Sequence, residues 1–287
     1  MKYGFIQQYA GDYDISLMCH VLKVSRGGYY DWRDRQPSKR ALENQALSNK
    51  IHCIFNAHKG RYGSPRIHAT LKREDIAISK GRVERLMQRA GLAATRTKRH
   101  KRVYVQREQQ QAAPNYLARQ FSADKPNEKW AGDITFIPTR QGYLYLAVMV
   151  DLYSRAIIGW AMSARINGQL VIDALNMAIE QRGTPKGVLV HSDQGSQYTA
   201  EAYRNKLQAH DMICSMSRKG ECQDNAVAES FFHTLKEELV RDSCFTSLRE
   251  AKQEIFKYIE IYYNRKRIHS TLGYQTPLDY ERINAVA

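Results

Sequence analysis

The chain has 287 residues, 43% of them hydrophobic and 25% charged, enough for one large or two ordinary domains with a sizeable core. No apolar run approaches the roughly 20 residues that span a bilayer. The N-terminus "MKYGFIQQYAGDYD" lacks an apolar h-region, and the five cysteines (Cys19, Cys53, Cys214, Cys222, Cys244) form no C-x-x-C pair, so membrane, secreted disulfide-framework and structural-zinc classes are set aside in favour of a reduced cytoplasm. The net charge of +15 lies wholly in residues 1–125, which hold 25 Lys+Arg and 10 Asp+Glu, whereas residues 126–287 hold 19 of each; this asymmetry points to a polyanion, most often nucleic acid.

In chain order, "ISLMCHVLKVSRGGYYDW" starts with Ile15, Met18, Cys19 and Leu22 on one helical face, then breaks before "VSRGGYY". This is the outline of a helix-turn-helix whose glycine pair predicts a short second helix. "SPRIHATLKRED" opens a second unit, with Ser64 as N-cap and Pro65 in the first helical position. After "IAIS", Ser79 is the next cap, and "KGRVERLMQRAGL" spaces Val83, Leu86, Met87 and Ala90 helically before Gly91. Its outer face carries Lys80, Arg82, Arg85 and Arg89. Such a face suits a recognition helix resting on phosphates, or it is simply a solvated basic face; the regional charge favours DNA. "TRTKRHKRVYVQREQQQAAPNYLARQF" reads as a basic linker over 96–125, with Arg99, Lys101 and Arg102 able to follow a DNA backbone.

From Trp130 the texture changes. "WAGDITFIPT", "YLYLAVMVDLYS" and "RAIIGWAMS" read as strands, "NGQLVIDALNMAIEQRG" as an amphipathic helix, and "GVLVHSD" as a buried strand. "TAEAYRNKLQAHD" is a helix, "MICSMS" a short strand, and "DNAVAESFFHTLKEELV" and "LREAKQEIFKYIEIYYNRKR" are helices. The order is β-β-β-α-β-α-β-α-α.

Two carboxylates fall where strands carry chemistry: Asp133 inside the first strand and Asp193 just past the fourth, in "HSDQGSQYTA". A carboxylate in an apolar strand is costly unless paired or bound to a cation. Glu229 lies beside the apolar arc of Val227, Phe231, Leu235 and Leu239, along an edge of the core. Asp151 and Asp173 read as caps or surface residues, His191 as a satisfied core histidine, and "SRKGECQDNA" as a mobile loop near the site.

With 35 residues between Asp193 and Glu229, the set on this element order resembles the RNase H-like catalytic core of retroviral-type integrases and DDE transposases. "WAGDITFIPT", "HSDQGSQYTA", "DNAVAESFFHTLKEEL" and "YYNRKRIHSTLGYQTP" narrow the resemblance to the OrfB transposase of bacterial insertion sequences with two overlapping frames. The likeness is strongest from Asn127 to Tyr280, and "SRGGYYDW" and "HKGRYGSPRIHATL" extend it upstream.

The resemblance implies an α/β fold: a mixed five-stranded sheet with flanking helices over 126–287, preceded by an all-α helix-turn-helix region over 1–95. It implies that Asp133, Asp193 and Glu229 hold two Mg²⁺ (or Mn²⁺) ions for phosphoryl transfer, a role for which hard oxygen ligands are chemically suited. Lys236, seven residues after Glu229, would touch DNA near the cleaved end or pair with a nearby acid. Arg265 and Arg267, in "YYNRKRIH", would touch DNA or brace the core, with Tyr263 and Asn264 bracing. The implied partners are element-end and target DNA, further copies of the chain on DNA, and an upstream-frame product acting with it or fused to it. Two other functions fit parts of the sequence: a catalytically silent helix-turn-helix regulator, and an RNase H-like nuclease on RNA–DNA hybrids.

Overall fold

The computed structural model describes residues 1–94, 112–218, 221–241 and 243–284. They fall into two compact units, Met1–Ala93 and Ala94–Ala287. No described helix is long and apolar enough to cross a membrane.

The first unit is all helical: α1 (Lys2–Gln8), α2 (Ile15–Val21), α3 (Arg26–Asp34), α4 (Lys39–Ala57), α5 (Ser64–Arg73) and α6 (Lys80–Arg89). Ile6, Met18, Cys19 and Tyr29 form the core of the first three. Asp14 caps α2 by accepting from the Leu17 N–H, and Ser25 caps α3 by accepting from the Gly28 N–H. The glycine pair lies inside α3 rather than ending it. A Cβ on Gly28 would stand 2.5 Å from the Tyr3 hydroxyl and 2.8 Å from the Ser25 hydroxyl, so both side chains would have to shift. The 19-residue α4 was not legible: its apolar residues are scattered around the helix, and only Ile51 and Ile54 are buried. It packs against α5 and α6. Gly63, not Ser64, precedes α5; Ser64 is the first helical residue, and its hydroxyl donates to Glu84. Pro65 follows in the first turn, where a missing N–H costs nothing. Ser79 caps α6 as expected, and Gly91 ends it with a φ of 65°.

The second unit is the expected mixed sheet: β1 (Lys129–Thr139), β2 (Gly142–Asp151), β3 (Ile157–Ser163), β4 (Leu189–Ser192) and β5 (Ile213–Met216), in the order β3-β2-β1-β4-β5. β1–β2 and β2–β3 are antiparallel; β4 runs parallel to β1 and β5 parallel to β4. One face packs on α7 (Gly168–Gln181), α8 (Ser196–Thr199) and α9 (Glu201–Ala209). The other packs on α10 (Ala226–Leu235) and α11 (Leu248–Phe256), which continue as π-type turns over Lys236–Val240 and Lys257–Tyr263. α12 (Pro277–Asn284), not anticipated, follows.

α7 lies unusually close to β3. A Cβ on Gly159 would stand 2.2 Å from the Ala174 carbonyl oxygen and 2.7 Å from the Ala178 nitrogen. Both are backbone atoms that cannot swing aside. Gly159→Ala is therefore expected to lower stability by about 1–3 kcal/mol or more, read by denaturant unfolding. Equal stability would mean that α7 is not locked to the sheet here.

Residues 95–111, which include Arg99, Lys101 and Arg102, lie outside the described residues. Residues 112–125, at the end of the expected linker, belong to the second unit. Leu117 is fully buried in its core, and the Tyr116 and Leu117 N–H groups donate to the Ser215 hydroxyl on β5. Asp151, read as a cap or a surface residue, is a buried cap. It is 0% exposed, accepts from the Asn127 and Tyr153 N–H groups, and lies 3.6 Å from Arg182; burial raises its pKa.

Candidate active site

Asp133 sits on β1 next to a change in pairing. β1 pairs with β4 from Lys129↔Leu189 to Ala131↔His191, and β4 ends at Ser192. Beyond Ala131 the β4-facing edge of β1 therefore pairs with no strand among the described residues. Asp133 lies two residues past Ala131, and Asp193 two residues past His191, so the carboxylates leave neighbouring strands at the same level. On β1 the side chains of Ala131 and Ile137 enter the α10–α11 core. The strand period of two turns Asp133 to that same face.

The chain turns sharply after Asp193 because the carboxylate itself accepts the Gly195 N–H at 3.0 Å. Glycine fits the turn: a Cβ at position 195 would stand 2.9 Å from the Asp193 Oδ1. Surrounding protein raises the Asp193 pKa by desolvation, opposed by the Gly195 N–H. The side chain is nonetheless exposed, so water limits the rise. Burial, not repulsion among carboxylates, is the cause.

α10, which carries Glu229, is held to β1 by two contacts. Asn225, 4% exposed, donates from Nδ2 to the Gly132 carbonyl at 3.0 Å. Further along both elements, the Lys236 ammonium lies 4.8 Å from the centre of the Phe136 ring. Asp133 lies between Gly132 and Phe136, and Glu229 between Asn225 and Lys236. Glu229 is one turn beyond Asn225 and so shares its side of the helix. As they stand, no three His, Cys, Asp or Glu side chains among the described residues enclose an ion. Mg²⁺ does not require such a cage, since it takes one or two carboxylates and completes its shell with water and substrate phosphate. The oxygen-only donors fit that ion.

Beneath the site, Tyr198 is 1% exposed and its hydroxyl has no hydrogen-bond partner among the described residues. Burial, then Tyr203, Asp133 and Asp193, hold its pKa well above the ordinary value. Its ring lies beside Gly132, where a Cβ would meet Met149 Sδ at 3.0 Å and the Tyr198 ring at 3.4 Å.

His191 is a core residue: 0% exposed, with Nδ1 2.9 Å from the Ser215 hydroxyl and Nε2 3.1 Å from the Ser217 hydroxyl. Desolvation lowers its pKa to about 4, so the imidazole is neutral in the fold. The neutral form is free of penalty above the unfolded value of about 6.5. As pH falls from there to about 4, the unfolded chain takes up a proton that the fold refuses, and stability drops by up to about 1.4 kcal/mol per pH unit. The loss totals about 3 kcal/mol and levels off below pH 4. Denaturant unfolding of His191→Gln should lack this component of the pH slope; an unchanged slope would remove His191 from the account.

The flank of the site is tied by an acid the sequence reading passed over. Asp224 is 0% exposed and accepts from Arg218 (backbone at 3.0 Å, Nε at 3.0 Å), Arg119 (2.6 Å) and Asn115 (2.8 Å). These bonds, Arg218 foremost, hold its pKa well below the carboxylate range. The expected mobile loop is thus pinned at Arg218 and Asp224, while residues 219 and 220 lie outside the described residues. Asn225 and Asp224 were the signal: buried polar residues in "QDNA", directly ahead of an apolar helix.

The predicted DNA contacts separate. Arg85 and Arg89 are exposed on α6, and Lys80, also exposed, lies 3.7 Å from Glu84. Arg82 is not on a free outer face: its guanidinium donates to Asn44 at 2.8 and 3.0 Å and to Glu43 at 3.3 Å, both on α4. Arg267 is a brace rather than a DNA contact. It is 5% exposed and engaged by Glu238 at 2.9 Å and by His269 at 3.1 Å. Asn264 is also a brace, exchanging hydrogen bonds with the Ile157 backbone. Arg265 is exposed and donates to the Glu260 carbonyl.

A five-stranded mixed sheet in the order β3-β2-β1-β4-β5, with helices packed on both faces, is the architecture of an integrase-type core. Family models agree: two described as "Integrase core domain" match residues 123–222 and 210–277, and one described as "HTH-like domain" matches residues 42–101. The chain is 45% identical over 251 residues to the transposase for insertion sequence element IS904 of Lactococcus lactis, covering 88% of this chain and 99% of that one. It is 41% identical over 286 residues to transposase InsF for insertion sequence IS3A of Escherichia coli K12, covering 99% of each. Among solved structures, the HTLV-2 integrase catalytic core domain in complex with magnesium (dimeric form) aligns at 17% identity with a TM-score of 0.41, covering 55% of this chain and 98% of that one. The chain belongs to the insertion-sequence transposase family.

Proposed function

We propose that the chain cleaves and joins the ends of an insertion sequence by DDE-type, metal-dependent phosphoryl transfer, with Asp133, Asp193 and Glu229 as its metal ligands. The observation carrying this reading is the double tie of α10 to β1, Asn225 to Gly132 and Lys236 to Phe136, which brackets Asp133 and Glu229 beside the open strand end that Asp193 leaves. A bound pair of Mg²⁺ or Mn²⁺ ions supplies Lewis-acid activation of the attacking oxygen and stabilisation of the leaving one. Asp133 would hold both, Asp193 one and Glu229 the other. The Gly195 N–H orients the Asp193 carboxylate, and Asn225 fixes the helix that carries Glu229. Lys236 supplies a cation toward the DNA. The test is incubation of the full chain with labelled element-end duplex and Mg²⁺, with and without the upstream-frame product. Nicked and joined strands are expected, and DNA bound but never cut under any of these conditions would favour the silent regulator.

Residues Met1–Ala93 are the proposed duplex-binding unit, with Arg85 and Arg89 of α6 on phosphates or base edges. Other copies of the chain and the upstream product are its proposed partners on DNA. Because residues 112–125 pack on the core, the informative truncation starts at residue 112. The 112–287 fragment is expected to lose most duplex affinity and most of its salt slope, each phosphate contact accounting for about −0.9 in log–log slope. Equal affinity and slope in the fragment would move the DNA footprint to the core. Arg85→Ala should cost ~1–3 kcal/mol in discrimination if it reads a base, or weaken all sequences alike if it reads phosphate.

A further inference from the structure

Three residues beyond Asp133, the β1–β2 hairpin exposes two aromatic rings. Phe136 is 53% exposed and Tyr143 56%, and their rings meet edge-on with centroids 5.3 Å apart. Every other strand position from Leu144 to Met149 on β2 is buried or half-buried, so these rings are not spill-over from a loosely packed strand. The Lys236 ammonium stands over Phe136 at 4.8 Å. Position 136 lies beyond the end of β4, where the β4-facing edge of β1 has no partner strand among the described residues. By the strand period of two the rings leave the sheet on the face opposite Asp133, and the Lys236 ammonium comes to Phe136 from the α10 side, at the β1 edge where Asp133 and Asp193 also lie. At the ordinary strand rise, Phe136 is about 10 Å from Asp133.

We propose that Phe136 and Tyr143, with Lys236 above the Phe136 ring, form a stacking platform for an unpaired nucleobase of the DNA end held at the carboxylates. The proposal rests on the transposase reading and adds to it a subsite for a single base. The chemistry is complementary on both counts: an exposed ring face accepts any base, and a fixed ammonium attracts the phosphate that accompanies it. A blunt duplex hides its terminal base in the stack, so the platform selects ends that are frayed or opened. Frayed ends suit strand cutting and joining, where the reacting phosphate must be reached from one side.

The test uses the full chain and two probes of one sequence: a fully paired duplex, and the same duplex with three mismatched terminal nucleotides, one of them 2-aminopurine. No cleavage is read, so failure here leaves the carboxylate assignment standing, and failure of that assignment leaves this result readable. Wild type is expected to bind the frayed probe about tenfold or more tightly than the paired one and to quench 2-aminopurine on stacking. Phe136→Ala should bind the two probes equally and without quenching. Phe136→Leu, which keeps apolar volume but removes the ring face, should behave alike, and Phe136→Trp should restore preference and quenching. Equal binding of both probes by wild type, or full preference in Phe136→Leu, would overturn the platform. A concentration-dependent dimer abolished by Phe136→Leu, with probe binding unchanged, would assign the rings to a second copy of the chain and overturn it too.

Discussion

Asp133→Asn, Asp193→Asn and Glu229→Gln are each expected to lower strand cleavage and joining by on the order of 10³-fold or more while leaving duplex binding intact. Each exchange preserves shape and removes the charge on which a divalent ion depends. Binding should hold or tighten, because a negative charge facing phosphate is gone. The folded state should survive: Asp193 is exposed and Glu229 half-buried, and each exchange keeps the size and shape of the side chain. The controls must be chosen from the structure. Asp151 is unsuitable, since it is fully buried and holds the Asn127 and Tyr153 N–H groups, and Asp151→Asn would test folding instead. Asp173, on α7 and bonded to Gln169, and Glu237, paired with Arg241, lie outside the bracketed segment. Asp173→Asn and Glu237→Gln should cleave at wild-type rates. Any of the three carboxylate variants cutting at a near-normal rate would remove that residue from the assignment.

The second large effect concerns stability. Arg267 and Glu238 are 6% and 10% exposed at their side chains and 2.9 Å apart, and the Tyr258 hydroxyl also donates to Glu238. Glu238 lies in the π-type continuation of α10, two residues past Lys236, and Arg267 follows the matching continuation of α11. The pair therefore joins the helix that carries Glu229 to the one behind it. Glu238→Ala leaves the Arg267 charge buried without its carboxylate and is expected to cost about 3–5 kcal/mol. That is a large fraction of a typical stability of about 5–15 kcal/mol. Replacing both partners, Glu238→Leu with Arg267→Met, removes the uncompensated charge and should recover most of the loss. Thermal unfolding of the two single variants and the double variant reads the coupling directly. Additive losses would mean that the pair is not a unit.

Much of the catalytic half was legible because its signals are local. Strand alternation and apolar runs mark β1 to β4, and Asp193 stands out because it follows a run too apolar to end on a carboxylate by chance. Elsewhere the local signal was weak or misleading. In α4 the buried residues are too few to produce a helical stripe, since its contacts to α5 and α6 use Ile51 and Ile54 together with polar side chains such as Asn44. Arg82 reads as a surface cation because the acceptor that claims it lies 38 residues away. Arg267 sits in a basic run that suggests DNA, yet Glu238, 29 residues earlier, draws it into the core. Residues 112–121 look like linker because they follow a run rich in Arg, Lys and Gln and contain Pro114. They are held by Ser215 and Asp224, roughly a hundred residues further on. In each case a long-range polar partner decides the outcome, and periodicity carries no information about such partners.

Convergence of Asp133, Asp193 and Glu229 on one pair of ions is best tested by counting bound Mn²⁺ in the presence of end DNA, by electron paramagnetic resonance titration. Wild type should bind two ions per active site, and Asp133→Asn, Asp193→Asn and Glu229→Gln should each lose at least one, with Asp173→Asn unchanged. Two tightly bound ions in any of the three variants would contradict the account.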